Sequence, residues 1–175
     1  MSEDNYLLNF LADQENAQLA AGDLSMLRHK SPEGGTDTIG FGHKLTKQEM
    51  ADGKVYGVPL HSLDMKGVKH ILQIDLANKK KTLDASLRKK HGVRLDSLSP
   101  RKKMMLLDYE FNLAGGAVKK FPSFTAGVLA NDDAVQKHEY VRHYTDDKGK
   151  KHTLARNGAF YKAFMSNEAK AQLGE

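Results

Sequence analysis

The sequence predicts an α+β protein, mainly α, with a small N-terminal lobe built on a β-hairpin or sheet and a helical C-terminal lobe. Two observations carry this. The segment Asp37-Thr-Ile-Gly-Phe-Gly-His43 is short, β-branched and aromatic with interspersed glycines, the composition of a tight hairpin. From Leu63 onward, apolar residues return at helical spacing almost to the end of the chain.

The elements follow in order. Leu7, Leu11 and Glu15 recur at i, i+4, i+8, with Tyr6 and Phe10 beside them, which predicts a first helix over 4–16. The stretch from Ala17 to Lys30 lacks periodicity and reads as an extended loop. Thr46-Lys-Gln-Glu49 fits a capping box, so a short helix should start there and stop at Gly53. Met65, Val68, Leu72 and Leu76, then Leu83 and Leu87, predict helix that either continues as one long element to Gly92 or breaks near the lysine run. Ser99-Pro100 is a helix start, and Met104 to Leu113 leaves little polar face, so that helix should be the most buried, ending at Gly115-Gly116. Further helices are expected over 117–121, 124–130, 132–144 and 153–166, with Thr145 to His152 as an exposed loop.

Composition bounds the function. The 175 residues suffice for one domain or two small lobes. With no cysteine, a disulfide framework, a cysteine nucleophile and a Cys-ligated zinc are excluded. The eight histidines lack HExxH or similar spacing, so no metal site and no cofactor is expected. No run approaches the roughly 18 apolar residues of a membrane span, and the acidic start Met-Ser-Glu-Asp-Asn is unlike a secretory signal. A net charge of +5 favours polyanions without choosing among them. The runs Lys79 to Lys81, Lys89 to Lys90 and Lys102 to Lys103 read as solvated helix faces, and no groove-reading signature accompanies them, so nucleic acid is not expected as a partner.

Glu15 is the first residue with chemical promise. A carboxyl on the apolar side of a helix is partly desolvated, which raises its pKa toward the range of a general acid. The competing reading is an ordinary helix-end glutamate turned to solvent. The second constellation is Ser31 to His43, where Glu33, Asp37 and Thr38 sit among glycines that let backbone approach a ligand. Two facing carboxyls are what glycoside hydrolysis needs, one to protonate the leaving oxygen and one to activate water or attack the sugar.

Thr38-Ile-Gly-Phe-Gly-His-Lys-Leu-Thr46 resembles the Thr-Ile-Gly-x-Gly-His signature of phage-type lysozymes, the muramidases of glycoside hydrolase family 24. Leu107-Asp-Tyr-Glu-Phe-Asn-Leu113 with Phe121-Pro-Ser, and Leu154-Ala-Arg-Asn with Phe160 and Phe164, are similar to that family's buried helix and late Arg-bearing helix. The likeness spans about residues 6–166. It implies one lysozyme-like catalytic domain over 1–175, with lobes of about 14–62 and of 1–13 plus 63–175, and substrate in the cleft between them. It implies Glu15 as general acid and Thr38 as the threonine holding the attacking water. Glu33 would be the second carboxylate, where the family usually has an aspartate, and Asp23 and Asp37 remain alternatives. Inversion is implied, with the Glu15 and Glu33 carboxyls ~6.5–9.5 Å apart. Asn112 and Arg156 are the implied substrate-binding residues, although Arg156 fits an internal ion pair equally well. His43 should pair with Asp75 as a structural element.

The resulting expectation is a monomeric N-acetylmuramidase. It would cleave the β-1,4 bond between N-acetylmuramic acid and N-acetylglucosamine in peptidoglycan, without stable membrane association. As a host-lysis endolysin it would wait in the host cytoplasm until holin-type lesions release it to the periplasm. The alternatives are a virion-associated lysozyme acting at infection, a catalytically inactive cell-wall-binding module, and a basic nucleic-acid-binding protein.

Overall fold

The computed structural model describes residues 3–30, 37–112, 116–145 and 148–174. Two compact units divide the chain, Met1–Asn78 and Lys79–Glu175, with the boundary inside one long helix.

In the first unit, helix α1 (Glu3–Glu15) buries Leu7 and Leu11 completely, which accounts for its predicted face. The expected loop from Ala17 to Lys30 is instead ordered structure. It contains a helical turn α2 (Ala17–Ala20), a 3₁₀ turn (Leu24–Leu27) and strand β1 (Arg28–Lys30). Side-chain caps make these short pieces possible. Asn16 accepts from the Leu19 amide and Asp23 from the Ser25 amide, so the local hydrogen bonds stand in for hydrophobic periodicity.

Strand β1 extends the predicted hairpin to a three-stranded antiparallel sheet with β2 (Asp37–Ile39) and β3 (His43–Lys44). The register sets His29 opposite Thr38 and Ile39 opposite His43. Helix α3 (Lys47–Asp52) carries the complete capping box between Thr46 and Glu49 and ends at Gly53. A small ladder, β4 (Lys54–Val55) with β5 (Val58–Pro59), follows. Ile39, Leu45 and Val55 pack with Ile71 of helix α4 (Met65–His91) as a core, and Val58, Leu60 and Leu63 close its edge. Helix α4 runs unbroken for 27 residues, the first of the two alternatives its spacing leaves open.

The second unit is assembled around α5 (Pro100–Asn112), whose Met104 to Glu110 are all buried. It packs against α6 (Ala117–Lys120), α7 (Pro122–Ala130), a π-helical turn (Tyr161–Met165) and the last helix α10 (Asn167–Leu173). Tyr109 stacks on Phe124 at 4.2 Å between centroids and meets Phe121 and Phe160 edge-on. The expected stop of α5 at Gly115-Gly116 falls partly outside the described residues.

The C-terminal third departs from expectation. Helix α8 (Asp133–Glu139) ends five residues early, and the expected exposed loop is flanked by a hairpin of β6 (His143–Thr145) and β7 (Lys151–Thr153). Tyr144, Thr145 and Thr153 favour extended chain, and cross-strand stacking of Tyr144 on His152 at 5.1 Å replaces a helical contact. Helix α9 (Arg156–Phe160) and the π turn together occupy most of the last predicted helix.

His43 sits where the sequence places a structural histidine. Its Nδ1 lies 2.8 Å from Asp75 Oδ2 and its Nε2 3.2 Å from Glu49 Oε1. Burial opposes the imidazolium, but the two carboxylates outweigh it and raise the pKa. The Tyr56 hydroxyl donates to Asp75 Oδ1 at 2.7 Å, and burial together with that carboxylate pushes the phenol up to about 12. Because the His43 pKa is raised on folding, its stabilisation is fully present below the unfolded value of ~6.5. It fades as pH climbs through the folded value. The stability difference between the wild type and His43→Asn should therefore shrink from pH 5.5 to pH 8 in urea titrations. A difference growing with pH, or NMR titration giving His43 a depressed pKa, would contradict the pairing.

Candidate active site

The end of α1 and the β2–β3 turn form one small structure within the first unit. The turn, Gly40-Phe41-Gly42, takes positive φ at both glycines, 52° and 90°. Each glycine also answers a contact. A Cβ on Gly40 would lie 2.7 Å from the Val68 side chain, and one on Gly42 would lie 2.9 Å from Glu15 Oε2. Gly40 therefore lets the turn rest on α4, and Gly42 leaves room for the Glu15 carboxyl. The Gly40 amide donates to the Leu27 carbonyl at 2.8 Å, and Asn16 Nδ2 reaches the Gly40 carbonyl in a long contact of 3.5 Å.

Glu15 is half-buried, on the face it shares with Leu7 and Leu11. Thr38 is buried on the opposite face of β2 from Ile39, and its hydroxyl has no hydrogen-bond partner among the described residues. A buried hydroxyl without a partner is costly in a fold and retains both its donor and its acceptor for a ligand or water.

Glu33 lies outside the described residues. The two alternatives for the second carboxylate are both engaged. Asp37 is bound by Lys30 and by Arg28, the latter at 2.8 Å, and these hydrogen bonds hold its carboxyl below the usual range. Asp23 caps the Leu24–Leu27 turn, and the hydroxyl and amide of Ser25 hold it low as well.

The structure brings Asn112 and Arg156 together inside the second unit. Arg156 Nη1 donates to Asn112 Oδ1, and Arg156 Nη2 donates to Asp108 Oδ1 at 2.6 Å. Asn112 Nδ2 donates to the Asp108 carbonyl at 2.6 Å. Arg142 completes the group, its Nη1 donating to Asp108 Oδ2 at 2.7 Å with both side chains fully buried. The Arg142 guanidinium lies 4.3 Å from the Tyr109 ring centroid and 4.9 Å from that of Phe160. Asn157 clasps the same residue, its Oδ1 accepting from the Arg142 amide and its Nδ2 donating to the Arg142 carbonyl.

The lysozyme resemblance named Asn112 and Arg156, with an internal ion pair as the equal alternative for Arg156. The structure shows that ion pair, to Asp108. Asp108, Arg142 and Asn157 were not named as site residues. The available signal was an acid within the otherwise apolar Met104 to Leu107 and Tyr109 segment, since a charge there needs a buried counter-charge. Arg142 gave no comparable signal, because its neighbours read as a helix tail.

No family model and no curated protein matches the chain. Among solved structures it is similar to the muramidase domain of SpmX from Asticaccaulis excentricus, with a TM-score of 0.56 and 14% identity. The likeness covers 91% of this chain and 95% of that one. The protein thus has the lysozyme-like α+β fold of a muramidase domain, largely helical with small antiparallel sheets.

Proposed function

We propose that the protein is a phage-type N-acetylmuramidase that hydrolyses the β-1,4 bond between N-acetylmuramic acid and N-acetylglucosamine in peptidoglycan. The observation that carries the reading is the half-buried Glu15 carboxyl seated in the space left by Gly42, on a muramidase fold. Glu15 gives its proton to the departing glycosidic oxygen. A water attacks the anomeric carbon from the opposite face, and Glu33 takes its proton while the Thr38 hydroxyl holds it in place. The product sugar is inverted. Asn112 and Arg156 bind the glycan and its anionic substituents, and no cofactor takes part. The two units act as one catalytic domain in a monomer. The setting is host lysis, with the enzyme accumulating in the bacterial cytoplasm until holin-type lesions admit it to the periplasm, where its positive charge suits a carboxylate-bearing wall.

Mass spectrometry of digested purified peptidoglycan tests this directly. Reducing muramic acid ends are expected. Anhydromuramyl ends would make the protein a transglycosylase, and intact glycan strands would remove it from the enzymes. Glu15→Gln should lower turnover by about 10²–10⁴-fold while leaving the melting temperature nearly unchanged.

Gly42→Ala separates the acid's position from its presence. The new methyl meets the mobile end of Glu15 rather than backbone, and the 90° φ adds strain of about 1–2 kcal/mol. Activity should therefore fall at least 10-fold, far more than that loss of stability accounts for at a temperature where the variant is folded. Wild-type turnover in folded Gly42→Ala would mean that the carboxyl does not need that space.

A further inference from the structure

We infer that Asp108, itself held by Arg142, is a positioning residue that fixes the Arg156 guanidinium against Asn112 as a preformed donor for the carboxylate-bearing glycan. The inference rests on the muramidase reading and deepens it. Asp108 Oδ1 accepts from Arg156 Nη2 at 2.6 Å, and the backbone carbonyl of the same residue accepts from Asn112 Nδ2. A second contact joins Asn112 Nδ2 to Asp108 Oδ1 at 3.3 Å. With its amide nitrogen drawn to Asp108, Asn112 must turn its Oδ1 toward Arg156 Nη1, which donates to it. The Asp108 carboxylate thereby sets the plane of the Arg156 guanidinium, and its backbone carbonyl, aided by the longer carboxylate contact, sets the amide orientation of Asn112. Both would otherwise rotate, since long cationic side chains and terminal amides have several accessible orientations.

Arg142 explains why the carboxylate stays in place. It is fully buried, lies over Tyr109 and beside Phe160, and is held at its backbone by Asn157, so it cannot follow Asp108 outward. A purely structural ion pair would be complete with Arg142 alone. Asp108 instead divides its oxygens, giving Oδ2 to the buried arginine and Oδ1 to the one whose side chain retains 10% exposure. Preorganised donors cost a ligand less to order than mobile ones do.

Two double variants test this. Asp108→Ala with Arg142→Met removes the ion pair together with the acceptor for Arg156. Asp108→Asn with Arg142→Met removes the same charges but keeps a carbonyl acceptor at position 108. Removing Arg142 together with Asp108 avoids leaving that fully buried guanidinium unpaired, while Arg156 keeps its 10% exposure to water. For soluble peptide-bearing glycan strands, KM should rise roughly 10-fold to 100-fold in the alanine pair with kcat nearly unchanged. The asparagine pair should recover most of that loss at equal thermal stability. Equal KM in the two pairs, or losses that track melting temperature alone, would overturn the proposal. Hydrogen exchange of the wild-type Asn112 side-chain amide provides a readout independent of activity. Slow exchange is expected, and exchange as fast as that of exposed Asn131 would overturn the proposal even if neither double variant folds. An inactive wild type with a slowly exchanging Asn112 amide would defeat the muramidase reading while leaving the tether standing.

Discussion

The first unit depends on a carboxylate occupying space that a side chain would otherwise fill. Helix α1 ends against a turn with glycine at both flanking positions, and each glycine serves a different neighbour. Gly40 yields to Val68 and Gly42 to Glu15. A β-carbon at position 40 would push the turn away from α4, and one at position 42 would push the acid out of its seat. Leu7 and Leu11 hold the helix in register beneath, each burial stabilising by about 1.5–3 kcal/mol. The spacing that buries those leucines also delivers Glu15 to the turn, so folding and the placing of the acid share one cause.

Both units use the same electrostatic device with different chemistry. In the first, His43 lies between Asp75 and Glu49. In the second, Asp108 lies between Arg142 and Arg156. An imidazole can lose its proton near neutrality, whereas a guanidinium cannot. The His43 group therefore responds to pH within the physiological range. Breaking the buried Arg142–Asp108 pair on one side would cost about 3–5 kcal/mol, because the remaining charge has no water to turn to. Such a group makes a rigid support for the residues hydrogen-bonded to it.

Much of the fold was legible because it follows single-residue chemistry at short range. Helix α1, the helical character of α4 and the buried α5 were visible as apolar spacing, and α3 as a capping box, but the spacing left open whether α4 breaks at its lysine run. The His43–Asp75 pairing followed from the lysozyme resemblance and not from any local pattern. What escaped notice depends on partners distant in sequence or on side chains capping backbone. Strand β1 alternates no apolar residues and exists by pairing with β2. The β6–β7 hairpin hides in a stretch whose composition reads as helix followed by loop, and α10 begins with a Ser166 cap that periodicity does not register. Asn112 and Arg156 came from the lysozyme resemblance alone, and the acid joining them sits 34 residues from Arg142 and 48 from Arg156. No local pattern encodes that meeting.

The same distinction bears on which carboxylate serves as base in the proposed reaction. A general base works best with a pKa near the operating pH, because a carboxylate held far below it takes a proton reluctantly. Asp37 accepts from Lys30 and Arg28, and Asp23 from the amide and hydroxyl of Ser25, so both are held low. Each also has structural work that a catalytic cycle would interrupt: Asp37 anchors the β1–β2 pair and Asp23 caps a turn. Protonating either would weaken the contacts that support the neighbouring Thr38 strand or the chain leading into it. These considerations favour Glu33, which reaches one methylene further than the aspartate usual at its position in phage-type lysozymes. In the proposed reaction Gly42 leaves room for the acid, and the base falls to a carboxylate not already committed to the β1–β2 pair or to the cap of the Leu24–Leu27 turn.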